Sequence, residues 1–216
     1  MTTEGAAGSA SLRRPEQERS RTSREAILAS ATELFAERGV EATSVTDVSA
    51  RAGRSIGSIY HHFEHKDALI AAVVERLAVE LEANVERAID PEQWAGHGIT
   101  QVVRGYVATS LALNSRQPGQ KRITVEVSLV DPSTRDRYGR LRRQLNDGLT
   151  DLLLARPDEI GHPSPELAAR FAVDQVNAML AARLDPEMSP TQLELRSDEE
   201  FVAEVVASVS AYLGLP

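Results

Sequence analysis

The run HHFEH, His61 to His65, holds three of the chain's five histidines. It fits the zinc-protease pattern H-x-x-E-H letter for letter. That chemistry needs His61 and His65 on one continuous helix, one turn apart, with Glu64 beside a metal-bound water. It also needs a third acidic ligand from another element. No downstream glutamate has a distinguishing context. The chain has no cysteine, which excludes disulfides and thiolate zinc sites. A five-residue pattern with two free positions also arises readily by chance. A zinc hydrolase is thus the enzymatic alternative. The expectation is a non-enzyme with no catalytic residue, no metal and no cofactor.

A second reading uses the whole of residues 22–70. TSRE, Thr22 to Glu25, has the form of a capping box opening a helix. Ile27, Ala31, Leu34 and Phe35 follow at helical spacing, and Gly39 is placed to stop the helix as a left-handed cap. SVTD, Ser44 to Asp47, is a second capping box, opening a short helix through Ala52 that Gly53 breaks. Ser55 can cap a third. Two helices of about seven residues joined at a glycine are too short to be stable alone, so the flanking helices must hold them. That is a helix-turn-helix, in which the second short helix enters the DNA major groove and the first crosses the backbone. Val48, Ile59 and Phe63 are expected inward, leaving Ser58, Tyr60, His61 and His62 outward.

These residues carry a family resemblance. ATSVTDVSARAGRSIGSIYHHFEHKDALI resembles the DNA-binding signature of the TetR family of bacterial repressors, with a match from Arg21 to Ile70. Its parts are the LFAERGVEATSV lead-in, the AG turn, the YHHF end of the recognition helix, and Lys66 opening the next helix. The resemblance implies phosphate contacts from Ser44, Tyr60 and Lys66, one of only two lysines. It places Ser55, Gly57, Ser58 and His61 at the major groove, and His62 more in helix packing than in base reading. Two positions depart from the pattern. Ile56 stands where a polar residue is usual, so a direct base contact is lost or replaced by contact with a thymine methyl. His65 stands where a small capping residue is common, which loosens the entry to the following helix.

The elements beyond the head read as helices. Ile70, Val73, Val74, Leu77, Leu81 and Val85 share one face of a long amphipathic segment, about Lys66 to Ile89. DPEQWAGHG is a loop. Ile99 to Leu111 mark the next helix, closed by QPG. KRITVEVSLV alternates like a strand, but a lone strand has no partner in this chain, so residues 121–130 are expected helical. Tyr138 to Leu152 and Leu167 to Leu184 give two more, with RPDEIGHPSP between them. After the polar loop DPEMSPTQLELRS comes a last helix with Phe201, Val202, Val205, Val206, Val209 and Leu213 in a wide stripe.

The expected architecture is therefore all-α, with about nine helices. Residues 1–20 form a disordered arm, 21–66 a helix-turn-helix domain, and 67–216 a larger ligand-binding and dimerisation domain. Arg13, Arg14, Arg19, Arg21 and Arg24 make the arm a candidate for minor-groove or phosphate contact, with a solubilising tail as the alternative. The resemblance implies a homodimer through the last two helices. Phe171, Phe201, Val202, Val205 and Val209 are the candidates there, with intramolecular core the bland alternative for the stripe. It also implies a small-molecule effector inside residues 66–184, for which Trp94, His97, Tyr106 and Tyr138 are candidate lining groups. Arg135, Arg137, Arg140, Arg142 and Arg143 form a dense cluster, read as a solvated face.

Charge agrees with this division. Residues 1–66 hold nine Arg/Lys against nine Asp/Glu, while 67–216 hold fifteen against twenty-three, the whole net −8. Only the head is suited to nucleic acid. The start has no apolar core of a signal peptide, and no apolar run approaches the roughly 20 residues needed to span a bilayer. The expected protein is a cytoplasmic, ligand-responsive repressor on a palindromic double-stranded operator. A DNA-binding protein of the same fold controlled by a protein partner is the other alternative.

Overall fold

The computed structural model describes residues 7–116, 119–184 and 197–216, with side chains from Gln17 onward. Among these residues there are nine α-helices and no strand. They are α1 (Ala7–Arg38), α2 (Val45–Ala52), α3 (Ile56–His62), α4 (Lys66–Ala88), α5 (Ile99–Arg116), α6 (Gln120–Val130), α7 (Pro132–Leu154), α8 (Pro165–Leu184) and α9 (Asp198–Leu213). A 3-10 turn, Pro157–Glu159, lies between α7 and α8. The start of the arm (1–6), part of QPG (117–118) and the loop at 185–196 lie outside the described residues. No helix among the described residues is long and apolar enough to cross a membrane.

The all-helical expectation holds, and α6 resolves its ambiguous stretch. Ile123 and Val127, one helical turn apart, are buried, while Val125 and Leu129 of the apparent alternation are exposed. The expected start of α1 is corrected. Helix begins at Ala7, so residues 7–20 are not an unstructured arm. Thr22 caps nothing; inside the helix its Oγ1 donates to the Glu18 carbonyl at 2.9 Å. A threonine within a helix often bonds back one turn in this way.

The chain divides into two compact units, Met1–Ala78 with Gly119–Thr134, and Val79–Pro118 with Arg135–Pro216. The first reaches past the boundary expected at residue 66. It takes in the start of α4 and all of α6. In it α1 packs on α2, α3 and α6. Ile27, Leu34 and Phe35 of α1, Val48 of α2, Ile59 of α3 and Leu69 of α4 are fully buried.

In the second unit α5, α8 and α9 pack on one another. Trp94, from the loop after α4, packs its indole against Gly105 of α5, where an added Cβ would stand 2.5 Å from the ring. Its Nε1 donates to the Ala88 carbonyl at 2.8 Å. Arg156 ties the same loop, donating to the carbonyls of Trp94 at 2.6 Å and His97 at 2.5 Å. The apolar stripe of α9 is spent inside this unit. Phe201, Val202, Val205 and Val209 are all buried in the chain's own core, Val205 to 1% exposure. They are not an open surface awaiting a partner, which corrects their place among the dimer candidates. Of that set only Phe171, 54% exposed, faces outward.

Candidate nucleic-acid interface

Three turns aim the two short helices. At the end of α1, Gly39 takes φ 90°, a conformation a side chain rarely adopts. Thr43 then donates its buried hydroxyl to the Gly39 carbonyl at 2.8 Å, fixing the chain's return. Ser44 and Asp47 close the capping box at α2. The Asp47 amide donates to Ser44 Oγ at 3.1 Å, and the Ser44 amide donates to Asp47 Oδ2 at 2.9 Å. Bonding from the Ser44 hydroxyl and amide holds the Asp47 carboxyl below its ordinary value. Gly53, at φ 61° and ψ 36°, ends α2 in the left-handed region. Ser55 opens α3 two residues later, its Oγ accepting the Ser58 amide at 3.1 Å.

Val48, Ile59 and Phe63 are buried, as expected, and seat α2 and α3 on α1. What remains outward on α3 is its polar face. Ser55, Gly57 and His61 are exposed, and Tyr60 is 51% exposed. Ile56 is 42% exposed, so the apolar departure from the family pattern does stand on the surface. Ser58 is only half-buried, with its Oγ 3.3 Å from Ser23 Oγ of α1. His62 is half-buried, and burial, then neighbouring His61 and Arg24, push its pKa below the ordinary value. Ser44 is exposed at the head of α2. Lys66 donates to the Glu41 carbonyl at 3.3 Å, which holds its ammonium at the loop before α2.

The histidine run takes a shape unlike a zinc protease helix. α3 ends at His62, and Phe63 caps it in extended conformation, so His61 and His65 fall on either side of a helix break. His65 has a different task. Its Nδ1 accepts the Ala68 amide at 3.1 Å, capping α4. The entry to α4 is therefore tied rather than loosened. Among the described residues no three metal-ligating side chains cluster.

Electrostatics separate structural cations from available ones. Arg51 of α2 forks onto Glu37, with both nitrogens at 2.8 Å, and reaches Glu33 at 3.5 Å. The pair raises the pKa of Arg51 and lowers that of Glu37. Arg38 pairs with Asp47 at 3.9 Å, Arg76 with Glu25 at 3.8 Å, and Arg24 lies over the Phe63 ring at 5.4 Å. Arg54, on the turn between α2 and α3, is exposed. Nothing in its sequence context marks it, because a lone arginine carries no periodic signal.

The four proposed lining groups do not converge. A small apolar cavity of about 20 Å³ is bounded by Val102, Val103 and Tyr106 of α5, Leu149 and Leu153 of α7, and Ala172, Val173 and Val176 of α8. Only Tyr106 of the four borders it. Trp94 is core under the loop, His97 is exposed against its edge with centroids 6.0 Å apart, and Tyr138 is half-buried on α7. Tyr106 donates to Asn177 Oδ1 at 2.9 Å, and Asn177 Nδ2 donates to Asn146 Oδ1 at 3.0 Å. Arg135, Arg140, Arg142 and Arg143 are exposed, and Arg137 pairs with Glu82 at 2.9 Å, so the cluster is a solvated face.

Comparison with known proteins places this geometry. Residues 27–73 match the family of bacterial regulatory proteins named for TetR. An HTH-type transcriptional repressor of Mycobacterium tuberculosis is 48% identical over 56 residues, 26% of this chain and 30% of its own length. The repressor AcnR of Corynebacterium diphtheriae is 28% identical over 133 residues, 60% of this chain and 63% of its own. The chain thus spans under a third of the length of the first of these relatives. Among solved structures, a TetR-family regulatory protein from Rhodococcus superposes with TM-score 0.64 at 19% identity, covering 90% of this chain and 98% of its own. Reduced NemR of Escherichia coli gives 0.61 at 20% identity, covering 90% and 98%. These likenesses concern the fold, and the sequence match concerns the head. The head of the chain, residues 27–73, thus matches the TetR family of bacterial regulatory proteins, and the described helices share the fold of a TetR-family structure.

Proposed function

We propose that this chain is a transcriptional repressor rather than an enzyme. It holds a palindromic double-stranded operator as a homodimer and releases it when a small-molecule effector binds the second unit. The observation that carries this reading is the outward face of α3. Ser55, Gly57, Tyr60 and His61 stand exposed on a helix whose other side is locked to α1. Such a helix presents hydroxyl, imidazole and bare backbone to base edges and phosphates in a major groove. Ser44 and Lys66 flank it as phosphate ligands. As a regulator of the chromosome the protein works in the cytoplasm.

The dimer surface is re-assigned within the last two helices. Leu167 and Phe171 of α8 are 63% and 54% exposed, large apolar groups left out of the core. Phe171 packs against Tyr212 of α9, with ring centroids 5.0 Å apart and the planes tilted by 47°. Gln175, one turn further, donates to Ser208 at 2.7 Å, while its buried Oε1 has no partner among the described residues. A second copy covering this face would bury the two apolar side chains.

The cavity beside Tyr106 is room for about one water, far below the roughly 300–1,000 Å³ of ordinary ligand pockets. An effector there must open α5 from α7 and α8 and break the Tyr106–Asn177–Asn146 chain. The small volume favours, as a second reading, control of the same fold by a protein partner. Selection of bound duplexes from a random-sequence pool tests the main reading. The expected outcome is a two-fold symmetric motif with half-sites about 34–36 Å apart. Recovery of unenriched sequence would refute it.

A further inference from the structure

We infer that Arg19 and Arg54 form a second anion site of the head, a clamp for DNA phosphates beside the start of the recognition helix. The inference rests on the proposed reading of α3 as the DNA-reading element and extends its footprint.

The observation is a process of elimination among the cations of the first unit. Arg51 is spent on Glu37 and Glu33, Arg38 on Asp47, Arg76 on Glu25 and Arg122 on Glu126. Arg21 pairs with Glu18 at 3.9 Å, and Arg24 covers the Phe63 ring. Lys121 is also engaged. Among the described residues of this unit, that leaves Arg19 and Arg54 as the arginines with neither an acidic partner nor a ring. They line the same open groove, with Glu18 and Thr22 as its other walls.

The groove has a definite place. Ser23 Oγ of α1 lies 3.3 Å from Ser58 Oγ of α3, so α1 touches the recognition helix there. Arg19 is one helical turn before Ser23 on the same face of α1. Arg54 comes from the other side, as the residue before Ser55, the cap of α3. Its backbone is pinned on both ends: its amide donates to the Ser49 carbonyl at 3.1 Å, and its carbonyl accepts Ser49 Oγ at 2.5 Å. One guanidinium thus stands on a long helix and the other on a fixed turn.

The chemistry of the groove selects its occupant. Two guanidiniums offer ten N–H donors in planar forks that match phosphate oxygens. Glu18 opposes them with one negative charge, already turned toward Arg21, so the groove stays cationic. The occupant is a phosphate of the DNA strand whose groove α3 enters. Thr22 does not compete, because its hydroxyl donates to the Glu18 carbonyl. Ile56, the exposed apolar residue next to Ser55, cannot supply a charged contact at this end of α3, and Arg54 supplies it instead.

The test is the salt dependence of binding to the pool-selected duplex, by fluorescence anisotropy, for wild type, Arg19→Ala, Arg54→Ala, the double variant, Arg54→Lys and Arg104→Ala. Arg104 is an exposed arginine of the second unit and serves as the control. Each lost phosphate contact lowers the log–log slope by about 0.9. The expected result is a reduction of about 0.9 for each single alanine variant and about 1.8 for the double. The selected sequence and the Arg104→Ala slope should be unchanged, and Arg54→Lys should restore most of the slope. Circular dichroism checks that each variant keeps its helix content, and Arg19→Gln and Arg54→Gln replace any alanine variant that does not. Full wild-type slope in the double variant overturns the clamp while leaving the reading of α3 intact. Wild type that binds no duplex overturns both.

Discussion

Glu126 offers the sharpest probe of how the head is held. It sits on α6, and its Oε2 accepts the Val40 amide at 2.8 Å across 86 residues of sequence, while its Oε1 accepts Arg122 Nε at 2.7 Å. Val40 is the residue that follows the left-handed Gly39, so this bond fixes the turn from which α2 departs. Val40 is 7% exposed, and an alanine at 126 leaves its amide with neither partner nor full hydration. Stranding a donor in that way costs about 1–3 kcal/mol. The direct assay is amide hydrogen exchange at Val40. Since about 1.4 kcal/mol is a factor of ten, exchange should quicken by roughly 5- to 150-fold in Glu126→Ala. Glu126→Gln keeps an acceptor but loses the charge, and charge-assisted bonds are about twice as strong as neutral ones, so it should fall between. Acid adds a second handle. Burial pushes the Glu126 carboxyl up, but the Val40 amide and Arg122 outweigh it and leave the pKa below 4.5. A carboxylate lowered in the folded state stabilises fully above its unfolded pKa and loses that stabilisation as pH falls through the folded one. The wild-type advantage over Glu126→Ala should therefore be complete above the ordinary glutamate range and be lost as pH falls through and below it. Unchanged Val40 exchange in the alanine variant would refute the assignment, as would a glutamine variant no better than alanine.

Other outcomes follow from the same geometry. Lys66→Ala should weaken all duplexes alike and lower the salt slope by about 0.9, without changing sequence preference; a changed preference would remove Lys66 from the phosphate contacts. Phe171→Asp should give monomer in sedimentation with helix content intact, whereas Val205→Asp should unfold the second unit, costing several kcal/mol for a charge placed in core. A folded monomer from Val205→Asp would return α9's stripe to the interface. Gly105→Ala should destabilise by about 1–3 kcal/mol, because Cβ meets the Trp94 indole and the loop must move; an unchanged melting temperature would show that the loop yields freely.

Much of the head was legible because its signals are local. A capping box, a glycine needing positive φ and a serine before a short helix each act within four residues of sequence. Ser44, Gly53 and Ser55 do what their types and spacing indicate. The same local logic misled at Thr22, since TSRE reads alike at a helix start and inside a helix. Only the path of the chain before it decides. The stripe on α9 shows a different limit. Periodicity identifies the face that is buried, but not whether the covering surface belongs to the same chain. Here α5 and α8 cover it, and the exposed pair Leu167 and Phe171 emerges only once that packing is known. The ligand groups failed for a related reason. Trp94 signals burial by its size, yet its place is set by the bare backbone of Gly105 eleven residues on. Arg54 was invisible because its importance lies in the partners other arginines have taken.

The central claim is that the outer face of α3 reads base edges in the major groove. Methylation interference on the pool-selected duplex tests it directly, since a methyl on guanine N7 blocks the major groove and one on adenine N3 the minor. Wild type should show interference at guanine N7 in two half-sites about 10–10.5 base pairs apart. His61→Ala should lose one symmetric pair of these positions while Lys66→Ala loses none. Interference confined to adenine N3, or a pattern identical in wild type and His61→Ala, would contradict the account.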